Sequence, residues 1–426
     1  MSLLSPERVL EVLGIRRCGK TVLLHQMISQ LLGSDVDPRS VVYFSADDVL
    51  LGDPRSLVPD VLAFHRERVR PDSDGPTYVF VDEIHAITDW PLLLKRYVDL
   101  AEAYVWIASS SAGVLMHRGS TESLAGRAQA VRLYPFSLAE YASCVESPLA
   151  ALVASASDVW RGADASAPRT RAEQLDELER AALGRTADLV SLTRSYLRDG
   201  GFPEALSLPS GQRPRYFSET VIERLVLLDV PAIAEIRNPS MMAALVRRLV
   251  ASGPTLINIS DIARDLETTK VTLSDYLSVI DAAMVDFILD RYAGNIVGRQ
   301  RGMKKSVPLD PGMTAALGGW DMQGPSAPGN EGRLAEIAVH SWLLRRDSEV
   351  DVTHWRQEDK EVDFVASTPR NVLPIEVKWR DGSKTRGLSG LDVFRKRFEP
   401  ADTLIVTRDA FEVRESEMAV PLWMLG

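Results

Sequence analysis

The sequence has little cysteine: two residues in 426, Cys18 and Cys144. No disulfide framework is implied, and a reducing compartment fits. No apolar run is long enough to span a bilayer. The start, MSLLSPERVLEVLG, lacks the basic residues and apolar core of a secretory signal. Together these lead us to expect a cytoplasmic protein without a membrane partner. The six histidines are scattered and show no metal-ligand spacing with the cysteines, which argues against a structural zinc. There is no excess of basic charge either. A formal net charge of −10 argues against a chain that coats nucleic acid with its whole surface, but does not exclude a local basic face. No internal repeat is visible.

What is present is a soluble, globular composition, 45% hydrophobic and 25% charged, long enough for two or three domains. From Arg8 to Leu133, short apolar runs alternate with helical stretches. Strands are expected at Arg8–Leu13, Ser40–Ser45, Tyr78–Asp82, Tyr104–Ser109 and Ala130–Leu133, with helices at Leu23–Leu32 and Leu92–Leu100. That alternation predicts an α/β domain: a parallel sheet with helices on both faces.

Within it, Gly14-Ile-Arg-Arg-Cys-Gly-Lys-Thr21 matches G-x-x-x-x-G-K-[ST] in full, between a strand and a helix. Gly14 and Gly19 let backbone N–H groups approach phosphates, and the helix N-terminus adds favourable partial charge. Lys20 is placed to reach the β- and γ-phosphates of ATP, and Thr21 to bind Mg²⁺. The run Tyr78-Val-Phe-Val-Asp-Glu83 is the expected partner. Asp82 would hold Mg²⁺ through water, and Glu83 would polarise the attacking water. Ser109 and its neighbours Ser110 and Ser111 follow the next strand. A hydroxyl there senses the γ-phosphate or caps the following helix. Arg127 is either an arginine finger or a solvated surface residue.

Past residue 145 the pattern changes. The stretch Ser155–Thr170 reads as a flexible loop or insertion. Glu177–Leu197 and Phe217–Leu228 look helical. Met241–Ala251, Ser260–Leu266 and Thr272–Ala283 read as a compact all-helical set, with Ser260 as an N-cap. The last two have the spacing of a helix-turn-helix, whose second helix offers Thr269, Lys270, Thr272 and Ser274 near its start. Such a winged-helix-like module reads DNA or serves for domain packing. Gly298–Gly329 reads as a surface loop. A helix Leu334–Arg345 follows, then strands Val350–Trp355, Glu361–Val365 and Val372–Lys378, a helix Leu391–Phe398 and a strand Thr403–Thr407. Asp363, Glu376 and Lys378 can face the same way on a hairpin, with Glu336 on the preceding helix. Two carboxylates can hold Mg²⁺, and a lysine beside them can orient water. Arg380, Lys384, Arg386, Arg395 and Lys396 form a local basic run.

The order of these motifs resembles the bacterial and archaeal AAA-like P-loop ATPases that carry a C-terminal domain of unknown function related to PD-(D/E)XK nucleases. The carrying residues are GIRRCGKT, YVFVDEIHAI, IASSSA, LAGR with RLYPFSLAEY, GGFPE, KKSVPLDPGM, HWR, EVDFV and PIEVK. The usual Thr-Gly after the fourth strand is replaced here by Ser109-Ser110. The resemblance implies an ATPase domain over 1–145 and a flexible insertion with a helical lid over 146–215. It further implies the winged-helix-like module over 216–298 and a nuclease-like domain over 299–426. Two functions follow as expectations. In one, ATP hydrolysis gates a nuclease-like domain that contacts DNA or RNA. In the other, the chain is a regulatory ATP switch that binds a protein partner, or itself as a homo-oligomer, and cuts nothing.

Overall fold

The computed structural model describes residues 4–426 apart from 49–55, 71–74, 88, 100–103, 112–123, 125, 162–166, 234–235, 294–298, 300–301, 325, 347–349 and 381–387. The chain is mixed α/β and forms two compact units. One comprises Met1–Tyr134 with Glu223–Pro239 and Ala282–Met284. The other comprises Pro135–Ile222, Ser240–Asp281 and Val285–Gly426.

The first unit holds a five-stranded parallel sheet. Its strands are β1 (Val9–Gly14), β2 (Val41–Ser45), β3 (Thr77–Asp82), β4 (Tyr104–Ser111) and β5 (Ala128–Arg132), in the spatial order β2-β3-β4-β1-β5. All five expected strands are present, each within two residues of its expected bounds. Helices α1 (Lys20–Leu32) and α3 (Trp90–Asp99) were expected from sequence; α2 (Leu57–Phe64) was not. Because β1, β3 and β4 are apolar on both sides, each face of the sheet needs its own cover. Val9, Val79, Val81 and Trp106 pack with α2 and α3 residues on one face. Leu10, Val12, Phe80 and Ile107 pack with Leu24 and Leu31 of α1 on the other.

The second unit contains two sheets. A helix Pro239–Ser252 leads to β6 (Thr255–Ile257), helices Ile259–Asp265 and Lys270–Ala282, β7 (Asp286–Leu289) and β8 (Lys304–Pro308). The strands form an antiparallel sheet in the order β6-β8-β7. The three expected helices are present, and the small sheet is an addition to them: its three strands are too short to show a period of two. The N-cap is Asn258, whose Oδ1 accepts the Ser260 and Asp261 N–H groups, rather than Ser260 itself.

The supposed surface loop 298–329 contains buried β8 and a helix Pro311–Gly318, started by Asp310 as N-cap and Pro311 in its first turn. Gly and Pro mark a helix start here, not a loop. A third correction falls in Ser155–Thr170. Helix Ala150–Val159 buries Val153 and Ala156, and Trp160 inserts into the core and donates its Nε1–H to the Met424 carbonyl at 2.8 Å. The apolar spacing 153, 156, 160 is helical, and the Ala- and Ser-rich composition hid it.

The final sheet has β9 (Asp351–Gln357), β10 (Lys360–Ser367), β11 (Val372–Lys378), β12 (Leu404–Thr407), β13 (Glu412–Val413) and β14 (Met418–Pro421). Their order is β13-β14-β12-β11-β10-β9. The meander β9-β10-β11 is antiparallel, and β11-β12-β14 run parallel. Helix Ala327–Leu344 covers one face and helix Ser389–Phe398 the other.

Asp286 at the start of β7 is fully buried. Ser306 donates to its Oδ1 at 2.6 Å, and Oδ2 has no hydrogen-bond partner among the described residues. Burial pushes its carboxyl up to about 8. The folded value lies above the unfolded one, so the fold favours the protonated form. Stability is therefore lost as pH rises from the ordinary carboxyl range toward 8. Asp286→Asn should raise the melting temperature at pH 7.5, by a gain on the order of 2 kcal/mol. The gain should vanish near pH 3.5. Equal melting temperatures at pH 7.5 would refute this.

Candidate nucleotide site

The loop between β1 and α1 is built by its two glycines. A Cβ on Gly14 would meet the Leu133 carbonyl at 2.6 Å and Cys18 Sγ at 2.7 Å. Gly19 has φ +103°, a conformation that suits glycine. Cys18 is buried, and burial raises its thiol pKa, so it packs the loop and is not a reactive thiolate.

Parallel pairing brings the ends of β1, β3 and β4 together. Thr21 Oγ1 donates to Asp82 Oδ2 at 2.6 Å. Ser109 Oγ donates to Asp82 Oδ1 and accepts the Glu83 N–H at 3.0 Å. Tyr43 from β2 donates its hydroxyl to Asp82 Oδ2 at 3.3 Å. Asp82 is thus held by three hydroxyls, one from each of α1, β4 and β2. Lys20 is buried; its Nζ donates to the Gly14 carbonyl at 3.2 Å and lies 3.9 Å from Glu83 Oε1. Glu83 has φ +50°, in the left-handed region, where its side chain is turned toward Lys20.

Ser109 therefore lies inside β4, fully buried, where it anchors the Asp82 carboxylate and the Glu83 backbone. Ser109→Ala should cut turnover roughly ten-fold or more, as loss of an orienting partner does, with little change in nucleotide affinity. Steady-state kinetics would check this, and unchanged kcat would count against the anchoring role.

Sequence reasoning missed two residues. His85 Nδ1 lies 3.2 Å from Glu83 Oε2 and 3.5 Å from Ser110 Oγ, and burial lowers its pKa. Arg16, inside the phosphate loop, contacts both oxygens of fully buried Asp229 through Nε, at 2.8 and 2.9 Å. Asp229 lies 213 residues along the chain, so no local pattern reveals the pair.

Arg127 stands apart. It precedes β5, whose Ala128 pairs with Val9 at the start of β1, and its Nε meets Asp99 Oδ1 at 2.5 Å. The phosphate loop leaves the other end of β1, roughly 20 Å away at the rise of a strand.

In the second unit, Glu336, Asp363, Glu376 and Lys378 come together around a residue the sequence reading missed. Lys305 on β8 is buried and donates to Glu336 Oε2 at 3.0 Å and to the Asp363 carbonyl at 3.3 Å. Its Nζ is 3.6 Å from Asp363 Oδ1 and from Glu361 Oε1. Asp363 Oδ2 accepts the Val377 N–H at 2.8 Å, and Lys378 is paired with Glu376 Oε1. Burial disfavours the Lys305 ammonium, but Glu336, Asp363 and Glu361 outweigh it and raise its pKa. Burial pushes both Glu336 and Glu376 up to about 7. Among the described residues, no three His, Cys, Asp or Glu side chains converge as a metal ion needs. The residues as placed therefore do not fit a metal: an ammonium stands among the carboxylates.

Of the basic run, Lys384 and Arg386 lie outside the described residues, and Arg395 is engaged by Glu417. Among the described residues no helix is long and apolar enough to cross a membrane.

Residues 6–142 match the model of an AAA domain, in keeping with the P-loop sheet of the first unit. Residues 190–324 and 331–425 match two domains of unknown function, DUF8612 and DUF4143. An uncharacterized protein of Haemophilus influenzae is 22% identical over 386 residues, which cover 89% of this chain and 84% of that protein. An uncharacterized protein of Methanocaldococcus jannaschii is 21% identical over 374 residues, covering 85% of this chain and 73% of that one. Among solved structures, the Aeropyrum pernix Orc1 protein in complex with DNA is similar at 14% identity. The match covers 73% of this chain and 86% of that one, at a TM-score of 0.26. A score that low supports nothing further.

Proposed function

We propose that the chain binds and hydrolyses ATP in its AAA domain and passes the state of that cycle to a nuclease-like C-terminal domain. The observation that carries the first part is the cluster Lys20, Thr21, Asp82, Glu83 and Ser109, assembled from three segments at the ends of β1, β3 and β4. A threonine hydroxyl and a carboxylate held 2.6 Å apart are the donor pair that suits Mg²⁺, so Thr21 and Asp82 would hold it. When bound, Mg²⁺ neutralises phosphate charge. Lys20 supplies the fixed positive charge for the β- and γ-phosphates. Glu83 accepts a proton from water, and Ser109 keeps Asp82 and the Glu83 backbone in place.

The C-terminal reading rests on the hairpin of β10 and β11, with helices on both faces, and on the meeting of Glu336, Asp363, Glu376 and Lys378. The order helix, strand, two helices, two strands between Pro239 and Pro308 supports a winged-helix module. DNA or RNA is the partner we propose for these two parts. Lys305 among the carboxylates favours the regulatory version, in which the nuclease-like domain binds without cutting.

Calorimetric titration with ATP and Mg²⁺ tests the proposal. Wild type should bind near one equivalent, and Lys20→Ala should bind none detectably. Equal binding by both would defeat it.

A further inference from the structure

The C-terminal pocket brings four carboxylates together. Glu336 comes from helix Ala327–Leu344, Glu361 and Asp363 from β10, and Glu376 from β11. Like charges at this separation repel unless cations or protons intervene. Three cationic side chains do so: Lys305, Lys378 and Arg356, the last 3.4 Å from Glu361. Lys305 is the innermost. Its side chain is 3% exposed, against 27% for Lys378 and 40% for Arg356.

Its position is set from outside the pocket. Lys305 sits on the central strand of the small antiparallel sheet, paired with Leu256 on one side and Leu289 on the other. Its Nζ also lies 5.1 Å from the centre of the Phe364 ring, a further contact that favours a cation. His340 stacks on the same Phe364 ring. It is fully buried, and among the described residues neither ring nitrogen has a hydrogen-bond partner. Burial lowers its pKa to about 3, so it adds no charge. Glu376 Oε2 is likewise buried without a hydrogen-bond partner among the described residues.

We infer that Lys305 is the resident cation of this pocket, an ammonium held between Glu336, Asp363 and Glu361 where a divalent ion would otherwise bind. The inference rests on the nuclease-like reading of the domain and not on ATP hydrolysis. An ammonium satisfies carboxylates at N···O distances near 3 Å, whereas Mg²⁺ needs oxygens at about 2.1 Å in an octahedron. A divalent ion entering beside Lys305 would meet its charge at short range in a poorly solvated pocket. Lys305 would have to leave, and its backbone is fixed by ladders on both sides. The wild-type pocket is thus closed to divalent metal, and removing one side chain opens it. Lys305 also ties the small sheet to the larger one within this unit.

The test is titration of the nucleotide-free full chain with Mn²⁺ alone, read by calorimetry and by the loss of the free-ion spin-resonance signal. Wild type and Asp363→Asn should give the same isotherm, with no site that depends on Asp363. Lys305→Ala should gain about one Mn²⁺ equivalent, and adding Asp363→Asn should remove it. Lys305→Met, which keeps the length and drops the charge, serves the same purpose if the alanine variant does not fold. A wild-type Mn²⁺ site abolished by Asp363→Asn overturns the inference, and this comparison needs no change at Lys305. A folded Lys305 variant that gains no Mn²⁺ also overturns it. Nucleic-acid binding is measured on the same wild-type sample. Its absence would count against the nucleic-acid reading while leaving the Mn²⁺ result to decide the role of Lys305.

Discussion

Glu83→Gln should bind ATP as tightly as wild type and release phosphate about 10²–10⁴-fold more slowly, the range for loss of a positioned base. The substitution keeps the shape and removes only the charge that draws a proton from water. The geometry makes this a clean test. Asp82 keeps its three hydroxyl partners, and the Glu83 N–H still reaches Ser109, because both contacts use atoms the change leaves alone. Among the described residues the Glu83 carboxylate lies near Lys20, at 3.9 Å, and His85, at 3.2 Å. Binding measured by titration and turnover measured by phosphate release should therefore separate. If turnover is unchanged, Glu83 is not the base. If binding is lost along with turnover, Glu83 supports the loop and its chemical role fails.

Arg127→Ala should lower turnover by roughly 10³-fold if the guanidinium serves as a finger, and the structure restricts how it can do so. The register of β5 on β1 puts Arg127 at the far end of the sheet from the phosphate loop. It can thus serve only the site of a second copy. Turnover per chain should then rise with protein concentration, and inactive Glu83→Gln chains should revive Arg127→Ala chains by supplying an intact arginine. The ion pair with Asp99 is more than a third exposed on both sides, so breaking it costs little stability. Concentration-independent turnover, with Arg127→Ala equal to wild type, would return Arg127 to the solvated surface and remove the argument for a homo-oligomer.

The phosphate loop and the Asp82-Glu83 pair were legible because each is local: eight consecutive residues in one case and the end of a buried strand in the other. The parallel sheet was legible because β1, β3 and β4 are mostly apolar, with Glu11 interrupting β1 and serines ending β4. What escaped was set by distant pairing. Ser109 reads as a loop hydroxyl until β4 is placed beside β3, and its true partner lies 27 residues back. Asp229 becomes part of the phosphate loop only when a segment from beyond residue 222 folds with the first unit. Lys305 has no local site pattern around it and lies 31 residues before Glu336 and 58 before Asp363. Charge on an expected surface loop carried no hint of burial. Composition misled twice in the same way: Ala and Ser hid the helix that delivers Trp160, and Gly and Pro hid β8 and its helix.

The most direct test of the central claim is phosphate release from ATP by the purified full chain, with Mg²⁺ and with chelator, beside Lys20→Ala. We predict Mg²⁺-dependent turnover by wild type that disappears with chelator and in Lys20→Ala. Turnover that persists in Lys20→Ala, or no turnover by wild type across a range of protein concentrations with and without nucleic acid, would contradict the assignment of this site as an ATPase.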